Sequence, residues 1–178
     1  MKKLSAGLLA LVLGITGATM AQANERPAYL ALSYYQLTQD EDRFFGEEDF
    51  STGEGMVRFG GHITSWLAAE WRAGRTVTKE DTDESEYYHR YLLGLYAKLG
   101  FQAGPVYPYV LGGYTRGREI FKDDTVGTSK GIFGEWSVGA GVDIDITEAI
   151  GINVEYFHVY EIGDVKLSGP GAGLYWRF

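Results

Sequence analysis

Three histidines and two runs of carboxylates are the side chains of this sequence best placed to do chemistry. A hydrolytic site on a sheet needs a histidine base beside a serine nucleophile, with an acid to orient the ring. On one face of a strand, one spacing that would meet that requirement is His-x-Ser. Here His62 is followed by Ile63-Thr64, His89 by Arg90-Tyr91 and His158 by Val159-Tyr160, so the pattern is missing. His158 then reads as an aromatic at an interface, and Glu155 and Glu161 as structural charges rather than catalytic acids. With Cys 0, thiol catalysis, cysteine zinc sites and disulfide frameworks are all excluded.

The carboxylates fall in two clusters. Asp40, Glu41, Asp42, Glu47, Glu48 and Asp49 form the first, and Glu80, Asp81, Asp83, Glu84 and Glu86 the second. Hard cations favour such oxygen donors. The second run lacks the glycine that turns a calcium loop and the glutamate twelve positions on, so both clusters read first as solvated acidic rims. No phosphate-cradling loop or nucleotide motif occurs. The sequence names no catalytic, cofactor-binding or metal-binding residue, and no cofactor. Its net charge of −8 argues against a nucleic-acid partner, which calls for a basic stripe.

The elements that carry these residues announce themselves by period. After residue 23 no run of 18 apolar residues occurs, and 3.6-residue periodicity is scarce. Period-2 alternation recurs instead in blocks of about ten residues, parted by glycine and polar runs. Eight blocks are predicted: 28–38, 53–62, 65–78, 86–101, 106–118, 132–146, 150–162 and 165–178. The connections alternate, tight at 63–64, 102–105 and 147–149, longer at 39–52, 79–85 and 119–131. Short turns at one end and longer loops at the other suit a membrane barrel, with the short turns in the periplasm. An even strand count then puts both termini there.

Residues 1–23 stand apart. Lys2 and Lys3 precede an apolar stretch, 4–19, and Ala21-Gln22-Ala23 supplies the small-x-small pattern of signal-peptide cleavage. The mature chain, 24–178, is expected to begin at Asn24 and to be exported as one barrel domain. The apolar stretch falls short of the roughly 20 residues a helical span needs.

Alternation alone also suits a soluble sandwich. The polar face decides for the barrel, since it joins glycines to isolated charges of both signs: Arg58, Glu70, Arg72, Arg90, Lys98, Arg116, Arg118, Glu135, Asp143, Asp145, Glu155 and Arg177. A lipid-facing Arg or Lys at mid-membrane costs about 2–4 kcal/mol, so these charges are expected inside, in an ion-pair network. Arg116 and Arg118 orient the fifth block, placing Tyr107, Tyr109 and Leu111 toward lipid unless both arginines stand above the membrane. His89 is expected outside, and Pro170 at a bulge. Phe59, Phe101, Tyr107, Trp176 and Phe178 should form the periplasmic aromatic belt, and Tyr34, Tyr87, Tyr91, Trp136 and Tyr160 the outer one. Leu93, Leu95, Val138, Ala140, Val142 and Val154 should fill the lipid-facing band between them.

The chain ends Gly171-Ala172-Gly173-Leu174-Tyr175-Trp176-Arg177-Phe178, with Ala172, Leu174, Trp176 and Phe178 on one face. A terminal aromatic after alternating apolar residues resembles the last-strand signal read by outer-membrane assembly machinery. With the eight blocks and the stretch Gly104-Pro-Val-Tyr-Pro-Tyr-Val-Leu-Gly-Gly-Tyr114, the mature chain resembles the small eight-stranded outer-membrane barrels, the OmpA/OmpX-type porin-like family. That resemblance implies a closed eight-stranded antiparallel transmembrane β-barrel in the outer membrane of a Gram-negative bacterium. It further implies lipid and lipopolysaccharide contacts, the latter open to divalent-cation bridging from the acidic loops, and a structural or surface-interaction role whose loop ligand stays unnamed. A narrow conduit is the alternative. A lipid A-modifying enzyme, as some small barrels are, is disfavoured by the missing His-x-Ser.

Overall fold

The structure, a computed structural model, describes residues 28–41, 50–78, 80–82, 85–123, 127–163 and 165–178. The proposed signal peptide, the side chains of both acidic clusters and that of Tyr87 lie outside the described residues. Nine strands run β1 (Tyr29–Glu41), β2 (Phe50–His62), β3 (Leu67–Thr78), β4 (Glu80–Thr82), β5 (Ser85–Gly100), β6 (Val106–Asp123), β7 (Gly127–Asp145), β8 (Ile150–Ile162) and β9 (Val165–Arg177). All pairings are antiparallel, β1 joins β9, and β3 joins β5 to close the ring. The three-residue β4 also pairs with β5 and so extends the stave begun by β3. The result is a closed eight-stave barrel, as the alternation predicts. Among the described residues no helix is long and apolar enough to cross a membrane, which leaves crossing by strands untouched.

Burial is inverted relative to a soluble sheet. Leu32 is 65% exposed and Trp136 74%, while Arg58 is 1% exposed and Lys98 0%. A water-soluble sandwich would pay for that arrangement twice, once in exposed apolar area and once in buried charge. In lipid the outward apolar side chains face their preferred solvent, and the inward polar ones can satisfy one another. The expected band holds: Leu93, Leu95, Val138, Ala140 and Val154 are exposed, and Val142 is half-buried on the same face.

Three expectations of facing fail, each for a local reason. First, β6 is turned over. Tyr107, Tyr109 and Leu111 are buried inside, whereas Val110, Tyr114 and Arg116 are exposed outside. Arg116 and Arg118 stand at the hairpin end of the barrel, beyond the apolar band, so they carry no information about parity. Second, the β5–β6 register shifts between His89 and Tyr91. This bulge admits one extra residue and reverses parity above it, so His89 is buried and Arg90 exposed. Third, a matching shift between His158 and Tyr160 on β8 turns Tyr160 inward, where its ring lies 4.6 Å from Phe133.

The belts change accordingly. Tyr34 and Trp136 are exposed and Tyr91 is half-buried on the outer side, joined by Tyr114 and Tyr156; Tyr160 leaves the set. At the turn end, Phe101, Trp176 and Phe178 are exposed and Phe59 lies 6.5 Å from Phe178, while Tyr107 is inside. Pro170 sits in unbroken register with Tyr156, so the bulge of β8–β9 lies elsewhere, at Val159. On the other side Gly169 lies so close to β1 that a Cβ there would meet the Gln36 carbonyl oxygen at 1.9 Å. The expected loops 79–85 and 119–131 are largely strand, since β4, β6 and β7 run on into them.

Candidate functional site

The inward side chains of β2, β3, β5, β7 and β8 converge at mid-barrel on one connected charge network. Arg58 sends Nε to Glu70 Oε1 at 3.1 Å and Nη2 to Glu70 Oε2 at 2.9 Å. Arg72 reaches the same carboxylate through Nε at 2.6 Å and holds Glu155 through Nη1 at 2.5 Å and Nη2 at 2.8 Å. Lys98 Nζ donates to Asp143 Oδ2 at 2.5 Å, and Asn153 Nδ2 donates to Asp143 Oδ1 at 2.8 Å. Arg58 also donates to Asn153 Oδ1, which ties the two halves together.

Tyrosines complete the shell. Tyr109 donates its hydroxyl to Glu155 Oε2 at 2.6 Å, Tyr35 to Glu155 Oε1 at 3.1 Å, and Tyr29 to Glu70. The Arg72 guanidinium lies over Tyr96 at 4.9 Å and Phe157 at 4.8 Å, and Lys98 lies 3.7 Å from the Tyr109 ring centre. Gly171 makes room for this: a Cβ there would meet the Tyr35 ring at 2.2 Å. Three cations, Arg58, Arg72 and Lys98, thus face three anions, Glu70, Asp143 and Glu155. Buried charges are tolerable only when paired and hydrogen-bonded. Here each is both.

Smaller groups lie above and below. Toward the hairpin end, Glu54 Oε1 accepts from Thr76 at 2.6 Å and Thr52 at 3.2 Å, and lies 2.9 Å from His89 Nδ1. At the turn end Arg177 pairs with Asp145. The network therefore gathers Arg58, Glu70, Arg72, Lys98, Asp143 and Glu155, all anticipated by the alternation. Glu135 is half-buried on the lumen face, and Arg90, Arg116 and Arg118 stand outside the network. The sequence missed His89 and the lumen tyrosines Tyr107 and Tyr109. A clean alternation of Tyr107, Tyr109 and Leu111 was visible, but its direction was not.

On the outer wall, β8 and β9 set His158 opposite Ser168, a neighbour across strands that a search along one strand cannot find. His158 Nε2 is 3.9 Å from Glu161 Oε2, and the Ser168 hydroxyl pairs with that of Tyr156 at 3.1 Å. Among the described residues no three His, Asp or Glu side chains converge as metal ligands.

Comparison with known proteins follows the same lines. The model of the outer membrane protein beta-barrel domain matches residues 7–178. No curated protein sequence matches the chain. Among solved structures, Ail, the attachment invasion locus protein of Yersinia pestis, is similar at 16% identity and TM-score 0.66, over 86% of this chain and 99% of that one. Neisserial surface protein A is similar at 16% identity and TM-score 0.68, over 85% and 97%. The N-terminal barrel of OprF from Pseudomonas aeruginosa is similar at 15% identity and TM-score 0.58, over 83% and 97%. At such identities these three speak for the fold.

Proposed function

The chain belongs to the outer membrane protein beta-barrel domain family, and from that premise we propose that it is a surface-interaction protein with a sealed lumen. Its place is the cell outer membrane. Residues 1–23 serve as a cleaved signal peptide, both termini lie in the periplasm, and the C-terminal strand is the element that assembly machinery reads. The hairpin end then faces outward.

One observation carries the role. β6 and β7 pair without a break from Val106↔Ile144 up to Asp123↔Gly127, yet β7 pairs with β8 only from Asp145↔Gly151 to Val138↔His158. Among the described residues, 127–137 therefore pair with a strand on the β6 side only. A projecting sheet edge with unpaired backbone groups is a template for strand addition by a partner chain. Proteins usually blunt such edges, and a long one suits recognition. The acidic stretch with Glu47, Glu48 and Asp49 supports a partner that is not a polyanion. The heparin analogue bound by Ail is accordingly not carried over to this chain.

The test trims the projection. Arg118 and Ile132 face each other across the hairpin, so residues 119–131 can be replaced by an Asn-Gly turn. The trimmed barrel should insert normally while its cells lose autoaggregation and adherence to protein-coated surfaces. Unchanged adherence would remove the surface-interaction reading. The conduit alternative predicts discrete steps in planar-bilayer conductance, which the charge network should suppress.

A further inference from the structure

We propose that Arg75, Arg90, Arg116 and Arg118 form a site on the outer wall for the phosphorylated headgroup of an outer-leaflet lipid. The four sit on three adjacent strands. Ala73 of β3, Leu93 of β5 and Arg116 of β6 are aligned by register, and one step higher Tyr91 faces Arg118. Arg75 follows the Gly74↔Leu92 pair by one residue, and Arg90 is thrown outward by the β5 bulge. Neighbouring strands lie about 4.8 Å apart, so the patch is about 10 Å wide, within reach of four long side chains.

Its height fits a headgroup. From Phe101 at the turn end to Tyr91, β5 climbs about 33 Å along its own axis, which at the usual strand tilt spans an apolar band about 25 Å tall. Below the arginines the same faces carry Trp71, Leu93, Leu95 and Tyr114, all exposed. The guanidinium groups thus begin where the hydrocarbon ends.

Among the described residues its charge has no paired counter-ion: no carboxylate pairs with any of the four, although the lumen charges are matched one to one. Arg75, Arg90 and Arg116 are exposed. Arg118 is half-buried, with a buried Nε that has no hydrogen-bond partner. Like charges gathered at a lipid boundary are costly without an anion between them, and a guanidinium binds phosphate through paired N–H groups. A lipid phosphate supplies that anion at the right depth and sits against the apolar wall through its acyl chains. The assignment rests on the outward orientation of the hairpin end only for which leaflet supplies the lipid. Binding can be read without it, and without any protein partner.

The experiment uses the full barrel in nanodiscs, titrated with bisphosphorylated lipid A, with its dephosphorylated form and with inorganic phosphate. The variant Arg75→Gln/Arg90→Gln/Arg116→Gln/Arg118→Gln should bind bisphosphorylated lipid A at least about tenfold more weakly, as expected for loss of several charge-assisted contacts. Lys166→Gln, on the opposite wall, should bind as the parent does. The dephosphorylated lipid should not distinguish parent from variant. Folding is checked by the heat-dependent gel shift. If the fourfold variant fails to fold, the single changes Arg90→Gln and Arg116→Gln serve, each with about a threefold loss. Equal binding by parent and variant, an equal loss in Lys166→Gln, or inorganic phosphate held as tightly as the lipid would overturn the site.

Discussion

Arg72 grips both carboxylate oxygens of Glu155 across the barrel, at 2.5 and 2.8 Å, although the two residues are 83 positions apart in sequence. That pair joins the β3 wall to the β8 wall and forms the centre of the plug. Removing one partner leaves a buried charge without its paired counter-ion, which costs up to about 3–5 kcal/mol, although Tyr35 and Tyr109 still donate to Glu155. Arg72→Ala should therefore destabilise the barrel by up to that much in urea titrations of refolded protein in vesicles. The double change Arg72→Met/Glu155→Leu should recover much of the loss. If the double change is as unstable as the single ones together, the pair is not the coupled unit described.

The same plug should govern permeability. Arg72 and Glu155 share the lumen at this level with Arg58, Glu70, Tyr35, Tyr96, Tyr109 and Phe157, and an eight-stave barrel has room for little else. The parent protein should give no discrete steps in planar bilayers. Arg72→Ala/Glu155→Ala removes both side chains without leaving a lone partner in this pair, and should give small, frequent openings. Steps of similar size from both proteins would mean that ions pass elsewhere.

Assembly makes a separate prediction. Phe178 is exposed at the turn end, in ring contact with Phe59 and with Trp176 at 5.3 Å. Phe178→Asp puts a charge into an aromatic belt and into the strand that resembles an assembly signal. The protein should fail to insert, seen as loss of the heat-modifiable band from outer-membrane fractions. Normal surface levels would separate this chain from the assembly signal its last strand resembles.

These predictions draw on parts of the fold that were legible in the sequence to different degrees. The lumen ions were readable because Arg58, Glu70, Arg72, Lys98, Asp143 and Glu155 fall in unbroken stretches of alternation, where one residue fixes the facing of all. The bulges at Arg90 and Val159 were not, since an extra residue leaves no mark in composition and shows only through the partner strand. Parity of β6 was lost for another reason. Its glycines are neutral between faces, and its arginines lie beyond the apolar band, where charge has no preferred side. Strand ends suffered likewise: polar residues that read as loop continue as strand once the chain is in water.

The bulge on β8 can be tested directly. Tyr160 is buried against Phe133, whereas Tyr156, two pleats below, is exposed. Truncating a buried aromatic costs about 3–5 kcal/mol. Tyr160→Ala should show a loss of that order and Tyr156→Ala far less, by urea unfolding in the same vesicles. Deleting Val159, the bulged residue, should leave a regular ladder in which Tyr160 still faces Leu167 inside the barrel, so its ring should stay shielded from a lipid-phase fluorescence quencher. A Tyr160 that becomes accessible to the quencher after the deletion would show that Val159 is not the extra residue of the bulge.

The last expectation concerns catalysis on the outer wall, where His158, Ser168 and Glu161 come together across β8 and β9. In an assembled catalytic site the base lies within about 2.6–3.2 Å of its partner. Here His158 Nε2 is 3.9 Å from Glu161, which also lies 3.8 Å from Lys166 Nζ, and the Ser168 hydroxyl is engaged by Tyr156. The acid is thus shared with a lysine and the hydroxyl is committed elsewhere. Lipid A from cells with and without the protein should have the same mass spectrum, and Ser168→Ala should change nothing in it. The loss of one acyl chain only when the protein is present, abolished by either His158→Ala or Ser168→Ala, would replace the non-catalytic reading with a hydrolytic one.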